Sequence, residues 1–121
     1  MAKTVEELEI FQESRKLAKE IYRITKNGEF SKDYSLKDQI RRSVVSIISN
    51  IAEGFERKSR VEFARFLSIA KGSCGETRVQ LIVALDQNYV SEPEYEVLNE
   101  TCLKIGRMVG AFIVYLKKSS E

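Results

Sequence analysis

Apolar positions recur at helical intervals along almost the whole chain. Between Gln39 and Gly54, the residues Ile40, Val44, Ile47 and Ile51 follow one another at steps of four, three and four, which puts them on one face of a helix. Gln39, Ser43, Ser46, Asn50 and Glu53 keep the same rhythm on an adjoining face. A face turned to water ordinarily carries Lys, Glu and Arg. This one is built mainly of short hydroxyl and amide groups. The pattern predicts a helix packed on two sides, one in an apolar core and the other against a second close surface.

The same reading predicts four helices, at about residues 5–26, 36–57, 60–87 and 92–117. Ile10, Leu17, Ile21 and Ile24 line the first. Phe63, Leu67, Ala70, Cys74, Thr77, Leu81 and Ala84 line the third, and Tyr95, Leu98, Cys102, Ile105, Val109, Phe112 and Leu116 the fourth. Their 3.5-residue repeat favours helices packed at shallow angles. Thr4 with Glu7, Ser59 with Glu62 and Ser91 with Glu94 have capping-box spacing, and Ser35 with Asp38 is a weaker relative. Pro93 fits the first turn of the fourth helix. Asn27-Gly28 closes the first helix, and Glu29 to Tyr34 reads as a loop. Short linkers make sequential helices antiparallel neighbours. The expectation is an all-α protein, one antiparallel up-down-up-down four-helix bundle spanning residues 1–121 as a single domain.

Gly72 and Gly75 fall inside the third helix, where each glycine costs about 1 kcal/mol. The heptad phase nevertheless runs unbroken from Ala70 through Cys74 to Thr77, so the helix is read as continuous. Its small residues and those of the second helix (Ser46, Asn50, Ala52) would then bring the two backbones close together.

Composition narrows the chemistry. The chain has 121 residues, 43% hydrophobic and 31% charged, with a formal net charge of +2. This balance fits a folded protein that is only weakly basic. No apolar run reaches the roughly 20 residues that span a bilayer, and the N-terminus lacks a signal-peptide pattern. The expected location is the cytoplasm, with no membrane partner. There is no His, which removes histidine-dependent nucleophile systems and the Glu-x-x-His ligands of di-metal bundles. Cys-x-x-Cys and phosphate-loop motifs are also missing. No metal or cofactor is expected, and Cys74 and Cys102 read as small buried hydrophobes. The basic segment Arg57, Lys58, Arg60, Arg65 and Lys71 is the candidate nucleic-acid contact. Gln39, Arg42, Ser43, Ser46, Asn50, Glu53, Ser73 and Glu76 are the candidate structural polar network or subunit interface. Glu53 and Glu76 are also the only carboxylates suggested for catalysis, a weaker alternative to a non-enzymatic role.

The string from Gln39 to Gly54, ending Asn50-Ile-Ala-Glu-Gly54, resembles the signature of a bacterial four-helix-bundle family. So does Phe66-Leu67 running through Ala70-x-Gly72-Ser73-x-x-Glu76. This is the S23 ribosomal protein, or 23S rRNA intervening-sequence protein, family, and the resemblance covers about Leu8 to Leu116. It implies an antiparallel bundle assembled as a ring-like homopentamer. Some members are encoded within intervening sequences of large-subunit rRNA genes. The fold is also similar to accessory variability proteins of diversity-generating retroelements, basic pentamers that bind nucleic acid and a reverse transcriptase. The resulting expectation is a homo-oligomeric bundle with an accessory role at RNA or single-stranded DNA. The alternative is a protein–protein scaffold or adaptor that binds no nucleic acid.

Overall fold

The computed structural model of the protein describes residues 2–119. After a 3-10 turn at Val5–Glu7 come five helices: α1 (Glu9–Thr25), α2 (Gly28–Lys32), α3 (Tyr34–Glu56), α4 (Arg60–Asp86) and α5 (Glu92–Ser119). Among the described residues there is no strand, and no helix is long and apolar enough to cross a membrane.

The four long helices pack in a closed circuit, α1 on α3, α3 on α4, α4 on α5 and α5 back on α1. Contacts fix their directions. Arg23 meets Glu94 at 3.0 Å and Glu13 meets Lys104 at 3.0 Å, so α1 and α5 run antiparallel. Ser43 meets Thr77 and Ser46 meets Ser73, so α3 and α4 do as well. Phe63 against Phe112 and Cys74 against Cys102 set the same relation for α4 and α5. The chain therefore runs up, down, up and down.

The apolar stripes supply the core. Ile40, Val44, Ile47 and Ile51 are fully buried, as are Leu67, Ala70, Leu81, Ile105 and Val109. α4 passes through Gly72 and Gly75 without a break. A Cβ added at either glycine would meet nothing within 4 Å, so neither admits a neighbouring backbone. Close approach occurs at Gly54 instead, where an added Cβ would lie 2.8 Å from Phe63 Cδ1 and 2.9 Å from Phe66 Cβ.

Three local features depart from the periodic pattern. Thr4 and Glu7 do pair, the Glu7 carboxylate accepting from the Thr4 N–H at 2.7 Å, but they close only the 3-10 turn. Leu8 is extended, and α1 starts at Glu9. The expected loop between the first two long helices contains α2, which seats Phe30 in the core at 1% exposure. Asp33, not Ser35, caps α3: its Oδ1 accepts from the Leu36 N–H at 3.1 Å, and Ser35 Oγ accepts from Gln39 instead. Ser59 and Ser91 cap α4 and α5 as their spacing predicts.

Both cysteines are buried and free. Cys74 Sγ donates to the Cys102 carbonyl at 3.4 Å. Burial pushes the Cys74 thiol up to about 11 and, with Cys74 alongside, the Cys102 thiol up to about 12. A pKa raised by folding contributes its full stability below the ordinary value of 9.0. As pH rises further, the unfolded chain ionises while the folded one resists. Between pH 8 and pH 10.5 the wild type is expected to lose on the order of 2–4 kcal/mol more stability than a Cys74→Ala/Cys102→Ala variant. Urea midpoints measured at the two pH values check this, and parallel losses in the two proteins would refute it.

Candidate functional site

Two groups of candidate residues lie along α3 and α4. The first is a ladder of hydroxyls on the seam between them. Asn50 Nδ2 donates to Ser46 Oγ at 3.0 Å and to the Ser46 carbonyl at 2.8 Å. Across the seam Ser46 Oγ and Ser73 Oγ lie 2.9 Å apart, a hydrogen bond in which either hydroxyl can donate. One turn further along, Ser43 Oγ lies 2.8 Å from Thr77 Oγ1 and 2.7 Å from Gln80 Oε1. The amide oxygen of Gln80 accepts from Ser43; either hydroxyl can donate in the Ser43–Thr77 pair, and Thr77 Oγ1 also donates to the Ser73 carbonyl at 2.9 Å. Ser43, Ser73 and Thr77 are buried. Each bond contributes about 0.5–1.5 kcal/mol.

The second side of this helix is therefore covered by α4 of the same chain at Ser43 and Ser46, while Asn50, half-buried, bonds back onto Ser46 of its own helix. The longer members of the predicted group stay outside the ladder. Gln39, Arg42, Glu53 and Glu76 are exposed. Arg42 pairs with Asp38 at 2.8 Å and Glu53 with Arg57 at 2.9 Å, surface pairs of the kind that contribute about 0–1 kcal/mol. Glu76 lies level with Ser43, and Glu53 near the turn holding Phe66. The two carboxylates are thus separated by roughly 15 Å along the helix axis and do not converge. Thr77 and Gln80 complete the ladder but were not among the candidates. Thr77 sat on the apolar heptad, and nothing in the spacing marked Gln80.

The second group is the basic corner where α3 turns into α4. Lys58 adopts a left-handed conformation, φ 58°, between the end of α3 and the Ser59 cap. The corner is rich in carboxylates and rings. Glu62 accepts from Arg65 at 3.0 and 3.1 Å and lies 3.9 Å from Arg57. The hydrogen bonds from Arg65, followed by its charge and that of Arg57, hold the Glu62 carboxyl below its ordinary value. Arg57 and Arg65 both lie over the Phe66 ring, at 5.0 and 4.4 Å, and Lys58 lies over Phe55 at 5.3 Å. Arg60 lies over Tyr115 at 5.1 Å. Its Nε and Nη2 are buried without a hydrogen-bond partner. Lys71 sits apart from this corner, over Gly110 of α5. The structure thus brings Arg57, Lys58, Arg60 and Arg65 together at one end of the bundle and leaves Lys71 on its flank.

A further cationic surface, not among the candidates, lies between α1 and α3. Arg15, Lys16, Lys19 and Lys26 line a groove of about 720 Å³ together with Tyr22, over a floor that includes Ala18 and Ile48. In sequence these cations look like any solvated helix face. Only the fold shows that the carboxylates of α1 lie elsewhere.

Residues 6–111 match the family described as "23S rRNA-intervening sequence protein". A solved structure from Bacteroides thetaiotaomicron VPI-5482, described as a protein with unknown function from the S23 ribosomal protein family, is similar to this chain. It superposes with a TM-score of 0.78 at 28% identity, covering 86% of this chain and 97% of that one. No curated protein matches the chain. Neither match bears on the retroelement accessory proteins.

Proposed function

Because this chain belongs to the 23S rRNA-intervening sequence protein family, we propose that it is a non-enzymatic, cytoplasmic helical-bundle protein. In this reading it assembles with copies of itself as a pentamer and contacts RNA or single-stranded DNA in an accessory role. The outward face of α4 carries the self-assembly. Opposite its core stripe, Val61, Val79 and Val83 are 69%, 54% and 41% exposed, with Gly72 between them on the same side. A helix at the edge of a monomer ordinarily turns Lys and Glu to water there. Arg65, Ser68 and Glu76 share this face, and the exposed valines set among them suit a second copy. Native mass spectrometry is expected to give five subunits, and Val79→Lys, at an exposed position, is expected to shift the population to smaller species. A monomer at micromolar concentration would refute the assembly.

The family description supports the nucleic-acid part of the reading. Phosphate contacts without base readout predict affinity that falls steeply with salt and varies little with sequence. Fluorescence titration of labelled RNA and single-stranded DNA at low salt tests this. A flat titration would remove the nucleic-acid role and leave a protein–protein adaptor.

A further inference from the structure

We propose that the groove between α1 and α3 is where a single strand of nucleic acid lies, with its phosphates on Arg15, Lys19 and Lys26 and a base against Tyr22. This inference rests on the nucleic-acid reading above and gives it a location.

Four observations point to the groove. The first is arrangement. Arg15, Lys19, Tyr22 and Lys26 follow at steps of four, three and four, forming one straight stripe roughly 16 Å long. The second is charge. No carboxylate lines the groove, and Arg15, Lys19 and Lys26 carry no ion pair or side-chain hydrogen bond among the described residues. Like charges at this spacing destabilise an isolated helix. The acids of α1 lie outside the groove, Glu13 holding Lys104 and the groove-lining Lys16, and Glu20 holding Arg23. The corner cations Arg57 and Arg65, by contrast, are held by Glu53 and Glu62.

The third observation is a fixed aromatic platform. Arg41 Nε donates to Thr25 Oγ1 at 2.8 Å, which places its guanidinium 4.4 Å from the Tyr22 ring centroid. Tyr22 remains 36% exposed. The fourth is the apolar floor of Ala18 and Ile48, which suits the face of a base. A positive track with an aromatic side chain set into it is how single strands are held without sequence preference.

The test compares three variants with wild type, using a labelled oligodeoxythymidine and an oligouridine across a salt series. Arg15→Gln/Lys19→Gln/Lys26→Gln changes exposed positions to a good helix former and should keep the fold. It is expected to weaken binding at least tenfold at low salt and to reduce the slope of log affinity against log salt by about two. Tyr22→Ala is expected to weaken binding about tenfold with the slope unchanged. Arg57→Gln/Lys58→Gln/Arg65→Gln is expected to stay within threefold of wild type.

If the corner variant loses binding and the groove variant keeps it, the groove is overturned while the nucleic-acid reading stands. If wild type itself does not bind, that reading fails and takes the groove with it. Polyglutamate binding as tightly as the oligonucleotides, unaffected by Tyr22→Ala, would make the groove a general anion surface and overturn the assignment. A changed native mass in the groove variant would do the same, by placing this face between copies.

Discussion

Replacing Phe30 by alanine is expected to destabilise the protein by about 3–5 kcal/mol. Phe30 is almost completely buried, and its ring stacks on Tyr89 at 5.1 Å. α2 spans only five residues, far too few to persist by its own hydrogen bonds, so this side chain is what anchors the segment. The loss should also spread. Tyr89 Oη donates to Asp33 at 2.9 Å, and Asp33 caps α3. Removing the ring frees Tyr89 and loosens the cap together with the cavity it leaves. The midpoint of urea denaturation should fall with the denaturant slope unchanged, and Phe30→Leu should recover part of the loss. A shift below about 1 kcal/mol in the alanine variant would show that the bundle closes without α2.

The second large effect concerns two glycines with opposite outcomes. Alanine is ordinarily better than glycine inside a helix by about 1 kcal/mol. At Gly106, inside α5, nothing lies within 4 Å of the new Cβ, so Gly106→Ala should stabilise the bundle by up to about 1 kcal/mol. At Gly54 the new Cβ would strike Phe63 Cδ1 and Phe66 Cβ and lie 3.3 Å from Phe63 Cα. The last two atoms belong to or adjoin the α4 backbone, and they can move only if the helix moves. Gly54→Ala is therefore expected to cost about 1–3 kcal/mol despite its better helix propensity, and Gly54→Val more. Thermal or urea denaturation of the two alanine variants side by side tests the pair. The same sign for both would refute the packing argument.

The long apolar stripes were legible because a period fixes a face. Ile40, Val44, Ile47 and Ile51 needed only one another to declare the core, and the unbroken phase across Gly72 and Gly75 was enough to read α4 as continuous. The polar stripe was legible in its short members. Ser43 is buried and Ser46 and Asn50 half-buried, too short to turn fully outward, whereas Gln39 and Glu53 have stems long enough to swing out, as they do. Phe30 was not legible, because its partner Tyr89 lies far off in sequence and a single aromatic in a polar loop has no period. The Asp33 cap was missed because Ser35 offered the same chemistry two residues later. The basic groove was missed for a related reason. Lys and Arg on the outside of α1 read as ordinary solvation until the helix is oriented and its glutamates are seen to face α5.

The hydroxyl ladder between α3 and α4 has a consequence for assembly of the fold. Greasy side chains of similar bulk accept many alignments, and two rods joined by them alone can slide by one turn, about 5.4 Å, at little penalty. Ser46 opposite Ser73 and Ser43 opposite Thr77 accept one alignment, because any slippage strands buried oxygens without mates. The joint is keyed like a toothed rack, and misaligned intermediates in which α3 and α4 have met out of step should be short-lived.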